Sequence, residues 1–571
     1  MSSQTATETA PGDDDRATST GWAARLRRFG HVPPRDGGGV RERLVPPFPE
    51  PGIRLWSYFG IAGPTAVRLA RWTGWGGPVL VALLAGVLRF WNLGSPDDVI
   101  FDETYYAKDS WSLLQKGYET DWPDDADERI IAGHIPLGDS AAYVVHPPAG
   151  KWVIALGEWA FGLHPFGWRF MVALLGTLSV LLLCRIGRRL FRSTFLGCLA
   201  GVLMAVDGLH FVMSRTALLD LIVMFWLLAA FGALLVDRDR ARARLAAALP
   251  TGTDGLLRPD TGVAERLGLG ARPWRIAAGV FLGLACATKW NGLYVLAAFG
   301  ILTVLWDAGA RRVAGSNRPY HTMLRRDAVP AFVSLVPVAL AVYLVSWTGW
   351  FATSGGYYRD WADRPADDSA WSWIPGPLRS LWHYSFEVYR FHVGLTSEHN
   401  YQSNPWSWLV AGRPVTYFYE SADPGADGCP YASGCSREVL ALGTPLLWWT
   451  ACCALVYLCY RWLCRRDWRA GAVLCGVAAG YLPWFMYQER TIFYFYAVVL
   501  VPFLCLAVAM LVGTFLGPPG STERRRVLGI VATGVLVLMI VWNFVYFYPI
   551  YTGQLIPHDG WRARMWLDTW V

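Results

Sequence analysis

Long uncharged runs, interrupted by short charged ones, set the pattern of this chain. Residues 328–358, 491–522 and 527–557 each contain no Asp, Glu, Lys or Arg, and each exceeds the ~20 residues that a helix needs to cross the hydrocarbon of a bilayer. Hydropathy along the whole sequence predicts about eleven membrane-crossing helices, at 78–94, 168–186, 195–213, 220–236, 274–289, 291–307, 328–350, 443–461, 470–487, 491–514 and 527–547. Two intervals, 95–167 and 352–442, are far longer than ordinary helix connections. Within the first, the apolar stretch from Ala149 to Phe161 is too short to span; with Pro147 and Pro148 at its first turn it predicts a helix lying at the membrane surface.

The charges orient these elements. The segments 185–192, 237–275, 307–327, 461–469 and 517–526 hold 24 Lys or Arg against 9 Asp or Glu, whereas 95–167 holds 4 basic and 13 acidic residues and 352–442 holds 6 and 10. Basic loops stay in the cytoplasm, so both long loops are expected outside, the N-terminus inside and, after an odd number of crossings, the C-terminus outside. Residues 1–50, rich in Ser, Thr, Pro, Gly and mixed charge, predict a disordered tail, and 53–72 an interfacial approach to the first span, so that 1–77 precede the membrane domain and 548–571 follow it. No short apolar segment with a small-residue cleavage site opens the chain, so no cleavable leader is expected.

Composition strengthens the membrane reading. Of 571 residues 54% are hydrophobic and 17% charged, against about a quarter charged in soluble proteins. The 31 Trp, 25 Tyr and 27 Phe exceed what a soluble core uses and suit membrane interfaces. A net charge of +7 without clustering gives no reason to expect nucleic acid. Nine of the 11 cysteines lie in or beside predicted spans, while Cys429 and Cys435 stand in the second long loop; an external compartment permits a disulfide between them. Two free thiols remain the alternative, and zinc is disfavoured because no His lies at ligand spacing.

Chemistry has three candidate locations. Asp102 and Glu103 adjoin one another between Phe101 and Tyr105 at the start of the first long loop, a setting that raises a carboxylate's pKa or positions it as a base; a solvated surface pair is the alternative. The loop ends on Val145-His146-Pro147-Pro148-Ala149-Gly150-Lys151-Trp152, either the wall of a cavity at membrane level or a mere anchor. Arg169, Arg215, Asp220, Lys289 and Arg490 sit at the outer ends of spans, where cations either snorkel or face an anion such as a lipid phosphate. His392, Glu398 and the run from His399 to Trp408 mix aromatic faces with hydrogen-bonding groups, as sugar sites do. No glycine-rich loop between strand and helix is present to house a nucleotide.

Together, Phe101-Asp102-Glu103-Thr104-Tyr105-Tyr106-Ala107-Lys108, the His146–Trp152 segment, Ala287-Thr288-Lys289-Trp290-Asn291-Gly292-Leu293, the His399–Trp408 run and Tyr481-Leu482-Pro483-Trp484 resemble, in that order, the blocks of the protein O-mannosyltransferase family, over roughly 78–547. The resemblance implies an all-α polytopic GT-C glycosyltransferase that moves mannose from polyprenyl-phosphate mannose to Ser or Thr hydroxyls of exported proteins, inverting, on the outer face of the plasma membrane. A related GT-C enzyme moving another lipid-linked sugar, or a transporter, is the alternative. The second loop is too short for the MIR domain of eukaryotic members, which fits the short actinobacterial type. Asp102 and Glu103 map onto the family's acidic pair, Asp102 as general base and Glu103 orienting the acceptor or sharing that work. Arg169 and Lys289 are expected to cradle the donor phosphate; Arg490 is added as a candidate, within a Tyr487-Gln488-Glu489-Arg490 run that departs from the fungal pattern. His146, Lys151, His399 and Trp406 are the expected sugar and acceptor pocket. No cofactor is required by this scheme, and a divalent metal is left open. Expected partners are the lipid-linked donor, exported polypeptides, membrane lipid and the protein-export translocon.

Overall fold

The computed structural model describes residues 39–47, 60–61, 63–364, 371–426, 428–517 and 522–571; most of the expected N-terminal tail lies outside the described residues. The helices used below are α1 (Gly63–Phe90), α2 (Glu103–Lys116), α3 (Ala149–Phe161), α4 (Pro165–Phe191), α5 (Thr194–Ala205), α6 (Gly208–Met213), α7 (Leu219–Ala248), α8 (Pro273–Cys286), α9 (Gly292–Val313), α10 (Val329–Ser346), α11 (Gly376–Gly394), α12 (Pro445–Leu463), α13 (Trp468–Tyr481), α14 (Val501–Phe515) and α15 (Glu523–Tyr551). Each of the eleven predicted spans falls on one of these helices or on a pair of them. Among the described residues, seven helical segments are long and apolar enough to cross a membrane: α4, α7, α9, α12 and α15, with α10 extended back to Pro319 and α14 back to Tyr494.

Two of these helices are central and several are peripheral. α7 and α14 are buried along nearly their whole length, whereas α1, α10 and α15 expose large apolar side chains: Leu80, Leu83, Leu84 and Val87; Val329, Phe332 and Leu340; Leu528, Ile530, Leu538 and Trp542. Apolar surface this continuous is tolerated only against lipid, so the chain is a multi-pass membrane protein. α3 forms where the surface helix is expected, with Leu156, Trp159 and Phe161 exposed and Lys151 and Glu158 buried.

The segment 195–213, expected as one span, is broken into α5 and α6. Asp207 stops the helix: its carboxylate accepts the His210 amide at 2.9 Å and the Trp448 indole N–H at 2.7 Å. Backbone groups released by such a break need partners at membrane depth. Buried Arg89 supplies them, reaching the carbonyls of Met204 and Ala205 while bonding His210 Nδ1 at 2.7 Å.

The second long loop also departs from the all-α expectation. Strands β1 (Val415–Ala422) and β2 (Cys435–Ala441) pair antiparallel with a bulge between Thr416 and Phe418, and β3 (Ile556–Pro557) adds to β2. Cys429 and Cys435 are joined by a disulfide, Cα to Cα 5.7 Å, which ties the turn between β1 and β2 to the start of β2. The C-terminal segment is therefore packed on the same face as the 352–442 loop; Arg413 also bonds the carbonyls of Thr569 and Val571, and Trp570 donates to Ala411 O. The two long loops meet as well, since the buried Tyr384 hydroxyl of α11 bonds both the amide and the carbonyl of Val144 at 3.0 Å.

Candidate active site

The turn joining α1 to α2 is held by two arginines from elsewhere in the chain. Arg215 donates to the carbonyls of Arg89, Trp91 and Asn92 at 2.7–2.8 Å. Arg169 of α4 donates to those of Leu93, Pro96 and Asp98. The turn ends at Phe101, whose φ of +51° is rare for a bulky residue and is held by stacking on Tyr417 at 4.6 Å between centroids. This geometry fixes the N-terminus of α2, where the two neighbouring acids part company.

Asp102 occupies the cap position but its carboxylate makes no capping bond. Burial pushes its pKa up to about 6, opposed by Lys289 and reinforced by Asp220. A carboxylate at a helix N-terminus, close to a cation yet poorly solvated, is poised to accept a proton near neutral pH.

Glu103, one residue on, is fully buried and saturated. It forms a two-pronged pair with Arg169, Oε1 to Nε 2.8 Å and Oε2 to Nη2 2.7 Å, and accepts the amides of Ala217 and Ile100 at 2.9 and 3.2 Å. Arg169 in turn spends all five N–H groups inside the protein. Neither side chain has hydrogen-bonding capacity left for an acceptor or a phosphate. The structure thus places both beneath Asp102 as its foundation, in contrast to the expected substrate contacts.

Lys289 links Asp102 to a cavity of about 230 Å³. Its ammonium pairs with Asp220 at 2.9 and 3.0 Å and lies 4.2 Å from the centre of the Tyr496 ring. His146, Asn291, Tyr389, His392, Trp484 and Arg490 share the cavity wall with it. His392 donates from Nε2 to Val145 O at 2.9 Å, which leaves Nδ1 to accept from Arg490 Nη2 at 3.1 Å. Burial, then Arg490, lower the His392 pKa to about 4. His146, stacked on it at 5.2 Å, is held well below its usual range by burial and by Lys289. Both rings are neutral at pH 7 and Lys289 is balanced by Asp220, so the uncompensated positive charge of the cavity wall is that of Arg490. The Nε of Arg490 and Oδ1 of Asn291 are buried without a partner among the described residues, a donor and an acceptor facing unfilled polar demand.

Other expected pocket residues are dispersed. Lys151 is buried away from the cavity, its ammonium held by Asp109 at 3.0 Å and Glu119 at 2.9 Å, so it ties α3 to α2 and does not reach a sugar. His399 and Trp406 are exposed; Trp406 donates to Gln488 Oε1 at 3.1 Å and packs edge-on to Phe485 at 4.7 Å, beside the segment that carries Tyr487 and Arg490. His392, which the sequence offers with the polar aromatic run of the second long loop, does line the cavity, whereas Asn291 and Tyr496 carry no such signal as site residues. Asn291 belongs to the Ala287–Leu293 segment, but an aromatic such as Tyr496 gives no signal in a chain so rich in aromatics.

The chain is similar to known proteins along most of its length. The family model "Dolichyl-phosphate-mannose-protein mannosyltransferase" matches residues 79–249 and 264–352, and the model for the C-terminal four-transmembrane region of protein O-mannosyltransferase matches 377–570. The polyprenol-phosphate-mannose–protein mannosyltransferase of Mycolicibacterium smegmatis is 42% identical over 517 residues, 89% of this chain and 95% of its own. That of Mycobacterium tuberculosis is 40% identical over 509 residues, covering 88% and 93%. Among solved structures, the Saccharomyces cerevisiae protein O-mannosyltransferase Pmt1-Pmt2 complex bound to the sugar donor superposes with a TM-score of 0.64 at 14% identity, over 91% of this chain and 95% of that one. The fold is that of the GT-C membrane glycosyltransferases, and the chain belongs to the protein O-mannosyltransferase family.

Proposed function

We propose that this protein transfers mannose from polyprenyl-phosphate mannose to serine or threonine hydroxyls of exported polypeptides. Asp102 takes the hydroxyl proton while the oxygen attacks the anomeric carbon; the bond from that carbon to the phosphate oxygen breaks, and polyprenyl phosphate leaves with the electron pair. Lys289 and Arg490 neutralise the leaving phosphate, so the charge balance needs no cofactor. A single displacement from the side opposite the leaving group inverts the anomeric centre. The observation that supports this most strongly is the buried Asp102 carboxylate, free of any capping bond and under the charge of Lys289, which lines a cavity that also presents the unpartnered Nε of Arg490. The site faces outward across the plasma membrane, with the N-terminus cytoplasmic and the C-terminus outside. This is supported by the basic segments lying between the other ends of the helices and by β3 joining the sheet of the second long loop. The protein-export translocon is the source of acceptor in this reading.

The reading is tested by incubating purified protein with synthetic polyprenyl-phosphate mannose and a Ser/Thr peptide, with a polyprenyl-phosphate arabinose run in parallel. Mannosyl peptide is expected; transfer of arabinose alone would overturn the donor assignment.

Two further outcomes follow from the geometry. Because the base must be unprotonated, kcat/KM should rise with pH through an inflection near 6, the value to which burial lifts Asp102. Asp102→Glu should move the inflection, whereas Asp109→Asn, at another acid whose pKa burial raises, should leave it in place. An acid limb unmoved by Asp102→Glu would assign it to another group. Arg490→Ala should weaken use of the lipid donor by about 1.5–3 kcal/mol, the worth of a charge-assisted hydrogen bond, with the acceptor KM unchanged. An effect confined to the acceptor would remove Arg490 from the phosphate site.

A further inference from the structure

A second cavity, of about 550 Å³, lies among the ends of α12 and α14 and the starts of α13 and α15. It is lined by Arg461 near the end of α12, Arg465 and Arg469 around the start of α13, Gly513, Thr514 and Gly517 at the end of α14, and Arg525 at the start of α15, with Phe191, Leu196 and Met510 as apolar wall. Along α12, Arg461 is sixteen residues from Pro445, which places the cavity roughly 24 Å from the end of that helix next to the active-site face.

Its charges are unequally matched. Asp467 is the one acid bonded to these arginines among the described residues; it accepts from Arg461 Nη2 at 2.5 Å and from Arg469 Nε and Nη2 at 2.9 and 2.8 Å. Arg465 and Arg525 bond no described acid. The Nε of Arg461 is buried without a partner, although its Nη1 reaches the Tyr457 hydroxyl at 3.2 Å, which in turn meets Thr514 at 2.6 Å. Four guanidiniums against one carboxylate leave three positive charges around a cavity with one apolar wall. A guanidinium binds phosphate oxygens in pairs, and side chains such as Phe191, Leu196 and Met510 suit a hydrocarbon chain.

We propose that this cavity binds the phosphate of an anionic membrane lipid in the leaflet opposite the active site, with Arg465 and Arg525 as its free phosphate ligands and the unpartnered Nε of Arg461 as a third donor. Nothing in the transfer reaction uses it. The lipid seats the ends of α12, α13, α14 and α15, the helices that frame the cavity.

The test is native mass spectrometry of the full-length protein in detergent, titrated with phosphatidylglycerol, with phosphatidylcholine or with inorganic phosphate. Replacing Arg465 and Arg525 together by Gln breaks no ion pair, and the exposed pair Arg524→Gln with Arg526→Gln removes the same charge beside the cavity. Wild type and the control pair should retain phosphatidylglycerol in preference to phosphatidylcholine, while R465Q/R525Q should lose roughly thirty-fold in apparent affinity, at about fivefold per arginine. Equal retention by R465Q/R525Q, or an equal loss in the control pair, would overturn the site. Saturable binding of inorganic phosphate without preference for phosphatidylglycerol would overturn the lipid as its source.

Discussion

Asp102→Asn is expected to lower mannosyl transfer by at least ~10²-fold, the usual contribution of a positioned general base, while the protein folds and enters the membrane as before. The amide is nearly the same size and Asp102 makes no capping bond that the change would break, so stability should hold. Removing a group that acts only in the transition state lowers kcat and kcat/KM together and leaves substrate saturation nearly intact. Asp97 and Asp98, on the same turn but lining a separate surface hollow with Glu420 and Arg437, provide the contrast: Asp97→Asn should cost little. Equal losses from Asp97→Asn and Asp102→Asn would mean that the turn's shape matters and no specific base resides in it.

Arg169→Ala should act through folding. It strands Glu103 as an uncompensated buried charge and releases the carbonyls of Leu93, Pro96 and Asp98. Breaking one side of a buried pair typically costs ~3–5 kcal/mol, which would appear as a large fall in thermal midpoint and in recovered protein. The combined change Arg169→Met with Glu103→Gln removes both charges and should recover part of that stability, a coupling that a double-mutant cycle reads directly. Were Arg169 a phosphate ligand, Arg169→Ala would keep normal stability and lose only donor affinity.

These two acids show where sequence reasoning reaches and where it stops. Composition and adjacency identify Asp102 and Glu103 as a pair in an external loop. They cannot say that the helix beginning there sends one carboxylate toward Lys289 and the other down onto Arg169, because successive helical residues point about 100° apart. The depth of a charge is readable and its direction is not; Lys289 and Arg169 both read as interfacial cations, yet only Lys289 lines the cavity. Lys151 misled for the same reason, its partners Asp109 and Glu119 lying in the same acid-rich loop among many candidates. Helix positions were legible because lipid-facing helices must be apolar throughout. The break at Asp207 was not, since one acid in an apolar run reads as tolerated until Trp448, Thr444 and Arg89 are seen to converge there. The small sheet was hidden too: Val415-Thr416-Tyr417-Phe418-Tyr419 is rich in strand formers, but its partner follows only after the disulfide-bearing turn and its third strand comes from the far end of the chain.

The central claim is a single displacement in which Asp102 accepts the proton and Lys289 and Arg490 receive the departing phosphate. The anomeric configuration of the product tests it most directly. Polyprenyl-phosphate mannose of one defined anomeric configuration is offered to purified protein with a threonine peptide, and the configuration of the mannosyl-threonine linkage is read by nuclear magnetic resonance. The account predicts the opposite configuration at the anomeric carbon; a product retaining the donor's configuration would require a covalent or double-displacement route and would contradict it.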